Sequence, residues 1–198
     1  MTIDVNLYRA DKEFIDNIDE IIEDTMVQMF ILHPSSVLEI NEIKELADEY
    51  ESIFYSVPLH LRSEADSHCV AYSIKDEKEI VLLMGDKPIM IDESMLTESL
   101  IASLGEYRGI ILNATQEYPS LPNFLLAIGM GNVGMFDIES LNKMSMDRIV
   151  LQSTYPKYGF EGITSAVKVI SDAMLRPEQS IIARATKSSL ELFGFRKS

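Results

Sequence analysis

The sequence predicts an α/β protein built on parallel strands, and three observations carry that prediction. Short apolar runs alternate with amphipathic helical stretches along the whole chain. The runs are apolar throughout rather than at every second residue, as strands covered on both faces are. The chain has 198 residues, while eight strand–helix units closing into a barrel usually need about 250, with about 200 as a lower limit. The residues alone therefore leave two architectures open, a stripped-down barrel and an open doubly wound sheet.

The elements follow in order. TIDVNLY (2–8) reads as a strand. From Lys12 to Met26 the helical spacing puts Phe14, Ile18, Ile21 and Ile22 on one face and acids on the other. MFILHP (29–34) is a short strand stopped by Pro34. Ser36 with Glu39 makes a capping box ahead of the stripe Ile40, Ile43, Leu46 and Ala47. IFYSVPLHL (53–61) is a third strand, and a weak helix is expected over about 64–76. EIVLLM (79–84) reads as a buried strand, with PIMID (88–92) almost abutting it. Ser94 to Tyr107 reads as helix, GIILNA (109–114) as strand, Leu121 to Ile128 as helix and NVGMFD (132–137) as strand. A short helix near 138–144 leads to RIVLQST (148–154). Ile163, Ala166, Val167, Ile170, Ala173 and Met174 mark the next helix. Pro177 suits the first turn of a last one bearing Ile181, Ile182, Ala185, Leu190 and Phe193.

Composition narrows the function. Hydrophobic residues at 46% and charged ones at 25% exclude a disordered or fibrous chain. The net charge of −15 disfavours general nucleic-acid binding, since such a surface repels phosphates over most of its area. The charge is uneven: residues 1–52 hold 14 acids against Arg9, Lys12 and Lys44. That face is expected to be solvated, with docking of a basic protein partner as the sharper reading. One cysteine, Cys69, allows no internal disulfide and no cysteine zinc cluster. The N-terminus lacks a basic start followed by an apolar run, and no stretch approaches the roughly 20 apolar residues of a membrane helix. The expectation is a soluble, cytoplasmic, single domain over 1–198.

Few motifs carry chemistry. GMGNVG (129–134) matches G-x-G-x-x-G by letter. Its surroundings read helix, motif, strand, and position 154 is Thr where an acid is needed, so the glycines are read as easing a tight connection. His33 and His60 fall at the ends of the second and third strands, and Asp86 and Asp92 just past two later ones. In a parallel barrel such ends converge on one mouth, where the four could hold a divalent cation. His68, beside Cys69 on a weak helix, is read as incidental, and the 11 methionines as core filler.

At Asp147-Arg148-Ile149-Val150-Leu151-Gln152-Ser153-Thr154-Tyr155-Pro156 the chain resembles the TatD-type metal-dependent deoxyribonucleases, whose segment is written D-R-(L/I)-L-(L/V)-E-T-D-(S/A)-P. The closing helices ITSAVKVISDAMLRPEQSIIARATKSSLELFGF are similar to that family's ending. Ile3 to Tyr8 resembles its I-D-x-H-x-H strand, Val57 to Leu61 its V-G-I-H-P, GIILNATQ its G-(V/I)-I-H-x-F-S-G and AIGMGNVGMF its A-x-x-x-G segment. The resemblance runs in the same order over nearly the whole chain. It implies a shortened TIM barrel with a metal site at the strand ends, cleaving phosphodiesters.

The departures fall on the ligands that the resemblance implies. Asn6 and Tyr8 replace the first histidine pair, Asn113 a later histidine, and Asp92 the fifth-strand histidine. Gln152-Ser153-Thr154 stands at E-T-D, so Thr154 occupies the metal-binding aspartate position. Gly85-Asp86 is the nearest match to G-E-x-G-L-D, in a shortened loop. Metal-assisted hydrolysis needs ionised carboxylates and neutral imidazoles, and most of these replacements are neutral, weak ligands. The leading expectation is a TatD-like barrel without cofactor or catalysis, serving a binding or structural role. A residual Mg, Mn or Zn hydrolase using His33, His60, Asp86 and Asp92 is the second. An unrelated α/β protein taking a small phosphorylated ligand is the third.

Overall fold

The computed structural model describes residues 2–7, 11–83, 85–153 and 155–195. Eight strands lie side by side in chain order: β1 (Thr2–Leu7), β2 (Val27–Leu32), β3 (Ile53–Pro58), β4 (Cys69–Ile74), β5 (Ile89–Asp92), β6 (Gly109–Leu112), β7 (Phe124–Ile128) and β8 (Ile149–Leu151). Every neighbouring pair is parallel. A doubly wound sheet would reverse its strand order at a switch point; here the order is sequential and β8 comes round to β1. The result is a nearly closed, shortened TIM barrel. Among the described residues no backbone ladder joins β8 to β1. Side chains bridge that seam instead: Ser153 N–H donates to Asp4 Oδ1 at 3.0 Å, and Asn6 Nδ2 to Gln152 Oε1 at 3.0 Å.

The helices are α1 (Lys12–Asp16), α2 (Ile18–Asp24), α3 (Val37–Glu49), α4 (Glu98–Leu104), α5 (Ile138–Lys143), α6 (Glu161–Met174) and α7 (Glu178–Phe193). The apolar residues form two layers. Ile3, Val5, Ile31, Met90, Ile110, Ala127 and Val150 fill the barrel interior. Phe14, Ile40, Leu100, Ile163, Val167 and Ile170 join the outer faces of the strands in a second cluster. Burying each such side chain is worth about 1.5–3 kcal/mol. The end of α7 closes the N-terminal end of the barrel, where Leu192 is buried with Phe193 and Phe195, and Phe195 lies 4.5 Å from Phe54 between ring centres.

The structure corrects five element readings. The helix expected from Lys12 to Met26 breaks at Asn17, whose Nδ2 donates to Glu13 O at 2.8 Å and so competes for a helix carbonyl. In EIVLLM, Glu79–Leu82 belong to a 3₁₀ turn (Glu77–Leu82) rather than to a strand: Asp76 caps it, Glu79 is buried, and Val81 is 80% exposed, while Met84 lies outside the described residues. The missing strand is β4, where a weak helix was expected; it starts after an Asx turn in which His68 N–H donates to Asp66 Oδ1. Phe124–Ile128, rich in the helix formers Leu and Ala, is a strand because it pairs on both sides, with β6 and β8. The segment after it forms a 3₁₀ turn (Val133–Met135) instead of a strand. Around GMGNVG the order is therefore strand then helical turn. Its steric need lies at Gly129, where a Cβ would stand 2.1 Å from Gln152 O.

Candidate functional site

The C-terminal ends of the eight strands meet at the mouth of the barrel, where four positions singled out by the resemblance come together. Asn6 is the last residue but one of β1, Asp92 ends β5, Asn113 follows β6, and Gln152 follows β8. Gln152 is fully buried and forms the hub. Its Oε1 accepts from Asn6 Nδ2 at 3.0 Å and from Asn113 N–H at 3.3 Å, and its Nε2 donates to Asn113 Oδ1 at 2.8 Å. Asn113 Nδ2 then donates to Asp92 Oδ2 at 2.7 Å. Asn113 sits at φ 55°, a left-handed conformation that Asn tolerates better than most residues, and this presents both its backbone N–H and its amide to Gln152. The other Asp92 oxygen accepts from Ser94 N–H at 3.0 Å and Ser94 Oγ at 2.5 Å. The four side chains thus form one continuous chain of hydrogen bonds, Asn6–Gln152–Asn113–Asp92. Tyr8 and Thr154 lie outside the described residues.

Two residues missed from the sequence support this chain. Asn132 is buried; its Oδ1 accepts from Gly129 N–H at 2.8 Å, and its Nδ2 donates to Ala127 O at 2.9 Å and Ala114 O at 2.5 Å. Its position inside a glycine-rich stretch was the only available signal. Asp4 is fully buried; Oδ1 accepts from the N–H groups of Asn6 and Ser153, while Oδ2 has no partner among the described residues. Burial raises its carboxyl above the usual range, opposed by those hydrogen bonds.

The other candidates are dispersed. His33 follows β2; its Nε2 faces Val5 O at 2.9 Å and its Nδ1 faces Ser56 Oγ at 2.7 Å. A carbonyl only accepts, so Nε2 carries the proton and Nδ1 accepts from the Ser56 hydroxyl. Burial pulls the pKa of this ring down to about 4. His60 is exposed in the 3₁₀ turn after β3 (Leu59–Glu64), with its Nδ1 paired to Glu79. Asp86 was expected past a strand; because Glu77–Leu82 form a turn, Asp86 instead precedes β5, at the opposite end of the barrel, where its carbonyl accepts from Arg108 at 3.2 Å. The set His33, His60, Asp86 and Asp92 is thus not brought together. Among the described residues no group of three or more His, Cys, Asp or Glu side chains is arranged to hold a metal. None of the described helices is long and apolar enough to cross a membrane.

No family model matches the sequence, and neither does any curated protein. Solved structures do match the fold. The TatD homologue YjjV of Escherichia coli superposes with a TM-score of 0.76 at 12% identity, covering 98% of each chain. A TatD family hydrolase of Entamoeba histolytica gives 0.72 at 8% identity, covering 96% of this chain and 97% of that one. An uncharacterised amidohydrolase of Saccharomyces cerevisiae gives 0.67 at 9%, covering 96% and 99%. In its fold the chain is similar to these TatD and amidohydrolase structures, a barrel of eight parallel strands with helices outside.

Proposed function

We propose that this barrel is a non-catalytic binding protein whose mouth is held together by side-chain amides in place of a metal centre. The observation that carries the reading is the Asn6–Gln152–Asn113–Asp92 chain. A divalent cation at such a mouth needs anionic or imidazole ligands with lone pairs directed at it. Of these four side chains only Asp92 is anionic, and both of its oxygens accept hydrogen bonds from neighbours. The amides do not fit the metal implied by the resemblance, and their bonds brace the strand ends directly. The exposed acids of α1 to α3, Asp19, Glu20, Glu23, Asp24, Glu42 and Glu45 among them, give a binding role a surface suited to a basic partner.

The test is hydrolysis of bis(p-nitrophenyl) phosphate with Mg²⁺, Mn²⁺ or Zn²⁺ added in turn. The expected result is no turnover above the metal-only blank. Turnover that disappears in Asp92→Ala would overturn the reading.

A further inference from the structure

Beside the mouth, helix α1, the turn after β2 and helix α3 border a groove of about 820 Å³. Its floor is apolar, with Leu32 of β2 and Ile43 and Leu46 of α3, and Ile15 of α1 lines it at 42% exposure. Its other lining is anionic: Glu39, Glu42 and Glu45 of α3 are all exposed. Glu39 is engaged, accepting from Ser35 N–H at 2.6 Å and from Ser35 Oγ at 2.8 Å. Glu42 and Glu45 make no hydrogen bond or ion pair with any other described residue. Leu38, 70% exposed, shares a helical stripe with them, and the neighbouring stripe runs through Glu39, Ile43 and Leu46. The chain's own cations are mostly occupied elsewhere. Lys12 pairs with Asp16 at 2.7 Å, and Lys44, on another stripe of α3, is within electrostatic reach of Asp66. Among the described residues lining the groove, Lys75 is the only cation set against the three carboxylates.

We propose that this groove seats a basic amphipathic helix of a partner protein, its apolar face on Ile15, Leu38, Ile43 and Leu46 and its lysine or arginine side chains on Glu42 and Glu45. The proposal rests on the reading of the barrel as a binding protein and supplies the place and the partner class for it. Charge complementarity selects the occupant. A surface at net −15 attracts a basic segment and repels nucleic acid and anionic membranes. The two stripes set apolar groups and unpaired carboxylates side by side along α3, at the spacing with which a helix segregates its own apolar and basic faces. Lysine and arginine stems cover apolar floor while their charged heads reach carboxylates. A simple polycation would use the carboxylates but leave Leu38 and Ile15 in water, and an apolar helix would do the reverse.

The experiment is fluorescence anisotropy on the whole protein, pretreated with chelator, at low ionic strength. The probe is a labelled peptide of Lys, Ala and Leu with 13 residues, the length of α3, its leucines placed on one helical face. A scrambled peptide of the same composition and free spermine are the comparisons. The patterned peptide should bind saturably at one site, at least about tenfold more tightly than the scrambled one, the change that one buried leucine brings. Glu42→Gln/Glu45→Gln should weaken it roughly 3- to 30-fold, as the loss of two exposed ion pairs does, and Leu38→Ser by about tenfold, with unchanged circular dichroism in each. Asp172→Asn/Glu178→Gln removes the same charge from exposed positions on α6 and α7 and should leave the affinity within about twofold. The non-catalytic reading stands or falls separately, on the phosphodiester assay. No saturable binding, equal affinity for the patterned and scrambled peptides, or equal weakening by the two double variants would overturn the proposal. Displacement of the peptide by an equal concentration of spermine would also overturn it, by making the groove a site for small polycations.

Discussion

Gln152→Ala tests the amide chain at its hub. The substitution removes the bonds from Asn6 Nδ2 (3.0 Å) and Asn113 N–H (3.3 Å), and the bond to Asn113 Oδ1 (2.8 Å). Asn6 is 1% exposed, so its amide N–H is left without a partner and without water, at about 1–3 kcal/mol. Asn113 is half-buried; water replaces part of its loss, leaving roughly 0.5–1.5 kcal/mol. Together the variant should lose about 2–4 kcal/mol, and the empty side-chain volume adds to that rather than offsetting it. For a domain of this size 1 kcal/mol shifts Tm by about 2–4 °C, so Tm should drop by roughly 4–16 °C. Urea denaturation followed by circular dichroism should show a lower midpoint at unchanged slope. A double-mutant cycle with Asn6→Ala should return a coupling of about 1 kcal/mol. A Gln152→Ala protein within about 0.5 kcal/mol of the wild type would refute the idea that these amides brace the mouth.

Two further predictions rest on separate observations. Gly129→Ala should destabilise by about 2–3 kcal/mol because its Cβ meets Gln152 O at 2.1 Å, whereas Gly134→Ala, with nothing within 4 Å, should stay within about 0.5 kcal/mol; chemical denaturation of both reads the contrast. His33 holds a pKa of about 4 in the fold against about 6.5 unfolded, so between those values the unfolded chain binds the extra proton. Stability from this group is complete above about pH 6.5 and is lost as pH falls towards 4, by about 2–3 kcal/mol after allowing for partial exposure. His33→Gln should flatten that part of the stability–pH curve. Asp4, raised in the fold, acts with the opposite sign but is common to both proteins and cancels in the difference.

The barrel was legible because parallel strands covered on both faces leave long apolar runs, as in GIIL and IMID, and because α6 and α7 keep a clean helical spacing. The number of strands was right, but two expected strands are 3₁₀ turns and two expected helices supply strands in their place. EIVLLM has the apolar content of a strand, yet a buried carboxylate, Glu79, holds Glu77–Leu82 as a turn by bonding to Lys75 N–H and His60. CVAYSI and FLLAI carry little local strand signal and are strands because partners flank them, which no local window contains. The mouth was legible in part. Asn6, Asp92, Asn113 and Gln152 were reached through their positions in the resemblance, and the structure joins all four. Asp86 was misplaced because its location depended on the misread strand. Asn132 and Asp4 went unnoticed because a single Asn or Asp announces nothing until the fold buries it. The methionines divide: Met90, Met144 and Met174 are core as expected, while Met130 and Met135 are exposed after β7.

The most direct test of the central claim is metal stoichiometry. The purified protein would be loaded separately with Mn²⁺, Zn²⁺ and Mg²⁺, dialysed, and measured by elemental analysis alongside calorimetric titration. The amide-braced mouth predicts no stoichiometric ion and no saturable heat. One tightly held ion per chain, released by Asp92→Ala, would contradict it.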